Sequence, residues 1–144
     1  METSVNNKCR AFTSLEQSKK LAEILPLESA DMHYCLEQRD IASGYEIGIT
    51  PYTKAKSFIG KCNIIDVQPS WSLASLLNII PTMIGSVFEK DALRLRIDKS
   101  ETNFNIWYDN LDTGMVEEDF DVIKTNPVDA CYEMILKLKE RNLL

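Results

Sequence analysis

His33 and Cys35 stand two residues apart, and they are the place in this sequence where side chains able to ligate a metal or share a proton fall at strand spacing. Side chains at i and i+2 leave the same face of a strand, so the pair could approach a common ligand or act as a thiol–imidazole couple. Two ligands do not complete a site, because a structural zinc takes four and a catalytic zinc three; Glu37 or Cys62 could join only through folding. His33 is the chain's only histidine, so a Ser-His-Asp arrangement would also have to use it, and no Gly-x-Ser-x-Gly elbow is present. The expectation is an ordinary strand face, with a small enzyme or metal protein built on His33 and Cys35 as an alternative.

The remaining motifs are incomplete. Cys9, Cys35, Cys62 and Cys131 are separated by 26, 27 and 69 positions, which is neither a dense disulfide framework nor a paired zinc knuckle. Separate reduced thiols in a reducing cytosol are expected, with Cys131 acting as a small hydrophobe on an apolar helix stripe. Gly60-Lys61 lacks the glycine five positions earlier and the following Ser/Thr of a phosphate loop. Asp109 to Gly114 shares only its glycine with a calcium loop, because Leu111 takes the third position and Phe120 the twelfth. No cofactor is expected.

Charge narrows the partners. The net charge is −6, and the second half carries most of the excess, with 13 acidic against 8 basic residues over positions 73–144. An acidic surface repels phosphate backbones and gains nothing from counterion release, which disfavours generic nucleic-acid binding. One loop runs against that balance: Lys54, Lys56 and Lys61 interleave with Tyr52 and Phe58, the composition of a nucleic-acid contact. Between Asp109 and Asp121 six acidic residues occur with no basic one. Asp119 and Asp121 could pair across strands with Arg94 and Arg96, leaving the remainder as an acidic interaction patch. Trp71, beside Pro69, reads as a staple over the core.

The elements that must position these residues follow from periodicity and caps. Residues 1–12 are polar and aperiodic, which predicts a flexible arm. Ser14 with Gln17 forms a capping-box pattern ahead of the stripe Leu15, Ser18, Leu21, Ala22 and Leu25, and Pro26 ends the helix. Met32, Tyr34 and Leu36, then Tyr45, Ile47 and Ile49, alternate with polar residues as a long-looped hairpin. Residues 51–62 read as loop or irregular strand, and Ile64, Ile65 and Val67 as a short apolar run. Ser70 or Ser72 caps a second helix carrying Leu73, Leu76, Leu77 and Ile80, stopped by Pro81. Leu93 to Ile97, Phe104 to Tyr108 and Phe120 to Val122 alternate as a three-stranded meander. Asn126 and Pro127 then open a last helix whose stripe is Val128, Cys131, Ile135 and Leu138, with acids early and bases late.

Three segments, Leu15–Asp31, Pro69–Pro81 and Asn126–Leu144, resemble a group of small uncharacterised proteins from Bacteroides-type gut bacteria, often carried on prophages or other mobile elements. These segments cover about a third of the chain. The resemblance implies an intracellular bacterial or phage protein with an accessory role, and it carries no catalytic residue or cofactor. Residues 42–67 look longer than the pattern of that group.

Together these readings predict a single α+β domain over 1–144: a mostly antiparallel sheet, ending in a three-stranded meander, with about three helices on one face. No stretch reaches the roughly 18 apolar residues of a spanning helix, and the N-terminus has no apolar h-region, so a cytoplasmic protein without membrane contact is expected. The function expected is a non-catalytic accessory role through protein–protein interaction, self-association as a homodimer included. A nucleic-acid accessory factor using the 52–61 loop is the alternative from a different class.

Overall fold

Local chemistry sets the helix starts. The computed structural model describes residues 10–61, 63–86 and 88–144. Nine of the twelve residues of the expected arm, Cys9 among them, lie outside the described residues, as does Cys62. Ser14 caps helix α1 (Leu15–Ala22): its Oγ accepts from the Gln17 N–H, and Gln17 Oε1 accepts from the Ser14 N–H at 3.0 Å. Each bond satisfies a donor the helix itself cannot. Ser72, not Ser70, caps α3 (Leu73–Ile79) by accepting from the Ser75 N–H. Asn126 caps α4 (Pro127–Glu140) by accepting from Val128 N–H, and Pro127 takes the first position, where its missing N–H costs nothing.

The chain is α+β, with two antiparallel sheets instead of one. The first has the order β2-β1-β3, made of β1 (Met32–Glu37), β2 (Glu46–Gly48) and β3 (Ile64–Ser70). The expected hairpin is present, with Tyr34 opposite Ile47. The short apolar run at Ile64 extends through Pro69 to Ser70, which is permitted because β3 is an edge strand that can leave one residue without a donor. The second sheet has the order β4-β5-β6-β7, made of β4 (Met83–Ile84), β5 (Leu93–Lys99), β6 (Phe104–Asn110) and β7 (Val116–Lys124). Strands β5 to β7 are the expected meander.

Residues 51–62 depart from the expected loop or irregular strand. Pro51 is followed by a short fourth helix, α2 (Tyr52–Ala55), and a 3-10 turn over Lys56–Phe58. Four residues make one helical turn, too few for an apolar period to show.

The helices do not share one face. α4 lies on the inner face of the second sheet, α3 packs on α4, and α1 packs on β3. The core joins Val128, Cys131, Met134, Ile135 and Leu138 of α4 to Phe104, Ile106, Tyr108, Phe120 and Val122 of the sheet, with Leu21, Trp71 and Leu76 closing it. Every residue of the expected α4 stripe is buried. Tyr108 donates its hydroxyl to the Pro81 carbonyl at 2.5 Å, so the turn after α3 is tied to β6.

Candidate functional site

Strand β1 places His33 and Cys35 on one face, opposite Gly48 and Glu46 of β2. His33 is 7% exposed, and its Nδ1–H donates to the Thr50 carbonyl at 2.6 Å. Its ring lies over Gly48, where an added Cβ would sit 2.4 Å from Cε1. The imidazole is therefore fixed in place by a carbonyl on one side and bare backbone on the other. Cys35 is a half-buried free thiol. Burial pushes its pKa up, and the charges of Glu37 and Glu46 push it further, the opposite of the electropositive setting that makes a thiolate nucleophile. Cys131 is a core thiol pushed up to about 12 by burial. Among the described residues no three His, Cys, Asp or Glu side chains converge as metal ligands.

Gly48 is thus a residue chosen by its neighbour. Gly48→Ala is expected to cost about 1–3 kcal/mol through overpacking, and much less in a His33→Ala background, where the clash is gone. A double-mutant cycle by urea unfolding checks this: equal costs in the two backgrounds would show that the ring does not constrain position 48.

The 52–61 segment separates its aromatics from its cations. Tyr52 packs against the core, Phe58 is half-buried, and Ala55 is buried where α2 meets β3. Lys54, Lys56 and Lys61 are exposed. Near the other face of the first sheet, Lys19 of α1 sits over the Tyr45 ring at 5.7 Å, and Tyr45 donates to Asp66, which also accepts from Gln68 Nε2 at 3.0 Å. Burial pushes the Asp66 carboxyl up, but those bonds, the Val67 N–H and the Lys19 charge outweigh it and hold it low.

An open cleft of about 550 Å³ lies between the starts of α1 and α4. Four of its five charged side chains pair with one another: Arg10 reaches Asp129 at 3.0 Å, where Gln17 also donates at 2.7 Å, and Lys124 pairs with Glu133 at 2.9 Å. It works as a polar clasp between the two helices.

The outer face of the second sheet is different. Phe104, Ile106 and Tyr108 point inward to α4, so Asn105, Trp107 and Asp109 point outward. Register builds three rows across β5, β6 and β7. They are Arg94–Asp109–Val116, Arg96–Trp107–Asp121 and Asp98–Asn105–Ile123. Helix α4 covers the inner side, and no helix of the described residues packs on the outer one. Asp109 is nonetheless 6% exposed, because Arg94 Nε clamps it at 2.7 Å and Arg96 Nε stands 3.8 Å away. The expected pairing of these arginines with Asp119 and Asp121 is corrected: β5 neighbours β6, not β7, so Asp109 is the carboxylate in reach. Asp119 instead pairs with Arg141 beyond α4. Trp107 is half-buried between Arg96 and Asp121, and Val116 and Ile123 are exposed beside it.

Sequence reasoning misses this face, although its signal is present: a tryptophan among the polar positions of an alternating strand. Comparison with protein-family models, with curated proteins and with solved structures finds no match to this chain.

Proposed function

We propose that the chain is a non-catalytic accessory protein that acts by binding protein through the outer face of β5, β6 and β7. The observation that carries this reading is Trp107 at the centre of a sheet face that no helix of the described residues covers, in register with Arg96 on β5 and Asp121 on β7. Tryptophan and arginine are the residues over-represented where interfaces gain most of their energy. The clamped Asp109 keeps the arginines ordered before any partner arrives, which lowers the entropy cost of docking. An accessory role is also what the resemblance to mobile-element proteins implies.

The alternatives have less support. His33 and Cys35 are held by backbone and acid neighbours in a way that suits packing. The lysines of the 52–61 segment are exposed, but Tyr52 turns to the core, away from any stacked base. No helix among the described residues is long and apolar enough to cross a membrane.

Affinity capture with matched baits tests the reading. Wild-type chain and a Lys54→Glu/Lys56→Glu/Lys61→Glu variant should retain the same protein partner, and a folded Trp107→Glu variant should lose it. Retention by Trp107→Glu, or loss only in the lysine variant, would move the site off this face.

A further inference from the structure

We propose that the chain self-associates through surfaces apart from the outer face of β5–β7: Phe88, in the β4–β5 loop, enters the groove between α1 and α4 of a second copy.

Phe88 is 96% exposed, more than any other large apolar side chain among the described residues. The turn that carries it is closed by hydrogen bonds: Ser86 Oγ accepts from the Phe88 N–H at 3.3 Å, the Ser86 carbonyl accepts from the Glu89 N–H at 2.8 Å, and the Glu89 carbonyl accepts from the Ala92 N–H at 3.4 Å. A ring carried on a bonded turn has less freedom to lose on docking, and a phenylalanine ring takes about 150–250 Å² out of water when it is buried. Glu89, Lys90 and Asp91 follow it in the chain and are exposed. Asp112 stands in the neighbouring β6–β7 turn, tied to this loop where the Leu111 N–H donates to the Ala92 carbonyl at 2.9 Å, and adds a further negative charge at this end of the sheet.

The groove has a volume of about 310 Å³ and is lined by Ile24 just past α1, by Leu136 of α4, and by Lys20, Lys139 and Glu140. Ile24 and Leu136 are half-buried and give it an apolar lining, while the three charged side chains are exposed. Its size and lining suit an aromatic ring, and the exposure of Phe88 shows that the ring does not fill the groove of its own chain. Among the described residues none of Glu89, Lys90, Asp91, Lys20, Lys139 and Glu140 forms an ion pair within the chain. The loop offers two acids and a base, and the groove two bases and an acid, so each charge meets an opposite one across the contact. Two loops brought together would set acid beside acid, and two grooves lysine beside lysine, so charge favours ring into groove over either like pairing. By contrast, the cleft at the starts of α1 and α4 has four of its five charges already paired. A stable interface takes about 800 Å² per partner, well above what one ring and its neighbours cover, so the association is weak and sets in toward roughly millimolar concentration.

Sedimentation equilibrium on the full chain between about 10 µM and 1 mM tests this, with circular dichroism confirming that each variant is folded; every substituted residue is exposed, so the fold should survive. Wild-type mass should rise above that of the monomer across the range. Phe88→Ser removes the ring and Lys20→Glu/Lys139→Glu reverses the groove, and each should weaken self-association at least tenfold. Lys54→Glu/Lys56→Glu makes the same change in net charge elsewhere and should leave it unchanged. Ring and groove are different surfaces, so a variant that lacks one keeps the other. Mixing Phe88→Ser with Lys20→Glu/Lys139→Glu should therefore restore a one-to-one complex, held by the groove of the first and the ring of the second. A wild-type chain that stays monomeric at about 1 mM overturns the inference. So does association that persists in Phe88→Ser, an equal loss in the two lysine variants, or a mixture that stays monomeric. Loss of self-association in Trp107→Glu with Phe88→Ser unaffected would move the contact to the outer sheet face and overturn it as well.

Discussion

Trp71→Ala is expected to lower stability by about 3–5 kcal/mol, the cost of emptying a large buried aromatic site. A chain of this size has only about 5–15 kcal/mol in all, so the loss corresponds to a fall in Tm of about 10–15 °C. Trp71 is fully buried at the junction of β3 and α3. Its indole N–H donates to Ser29 Oγ at 2.9 Å, its backbone N–H donates to Thr13 Oγ1 at 3.1 Å, and its carbonyl accepts from the Thr13 N–H at 2.9 Å. Trp71→Phe should cost less, about 1–3 kcal/mol, because most of the packing survives and only the indole bond is lost. Urea unfolding followed by circular dichroism measures both. The chain has two tryptophans, so fluorescence in either variant reports Trp107 alone. If Trp71→Ala cost less than about 1 kcal/mol, the residue could not be a core element.

How much of the fold is legible in the sequence depends on the distance over which each signal acts. Caps and periodicity are local, and they place α1 on Ser14 and Gln17, α4 on Asn126 and Pro127, and the meander on its alternating residues. Short elements escape for the same reason. The four residues of α2 and the two of β4 are too few to repeat, and Pro69 inside β3 argues against a strand unless that strand lies at an edge. Sheet membership is illegible because alternation reports which face a side chain takes and not which strand lies beside it. That gap misassigns the arginines: Arg94 and Arg96 are outward as expected, but their carboxylate is Asp109 across the β5–β6 pair. It also hides the uncovered outer face of β5–β7, since Trp107 becomes notable only when helix coverage is one-sided. His33 and Cys35 share a face as their spacing requires, yet the carbonyl of Thr50 and the bare backbone of Gly48 come from a distant strand and loop.

Thr13→Val is expected to cost about 2–4 kcal/mol although it changes shape very little. Thr13, Ser18 and Ser70 are fully buried, and Thr13 Oγ1 lies 2.7 Å from Ser18 Oγ and 3.2 Å from Ser70 Oγ while accepting the Trp71 N–H. A hydroxyl has one proton and two lone pairs, so these three contacts use all of its capacity. Replacing it with a methyl leaves the Trp71 N–H and the two serine hydroxyls to find partners where water does not reach, and each unsatisfied group costs about 1–3 kcal/mol. Thr13→Ser keeps the hydroxyl and should lose about 1 kcal/mol, the worth of one buried methyl group. Ser18→Ala added to Thr13→Val should cost less than the sum of the two alone, because one orphan is removed. Strict additivity in that cycle would show that the hydroxyls are not coupled. The network matters beyond its own energy because it sits where the chain enters α1: Phe12 bridges Ser72, Leu73 N–H donates to the Ala11 carbonyl, and Tyr34 donates to the Thr13 carbonyl at 2.7 Å. Loosening Thr13 should therefore unseat α1 from β3 before it disturbs the β5–β7 sheet, and hydrogen exchange should show protection lost first in Leu15–Ala22 and last in Phe104–Asn110.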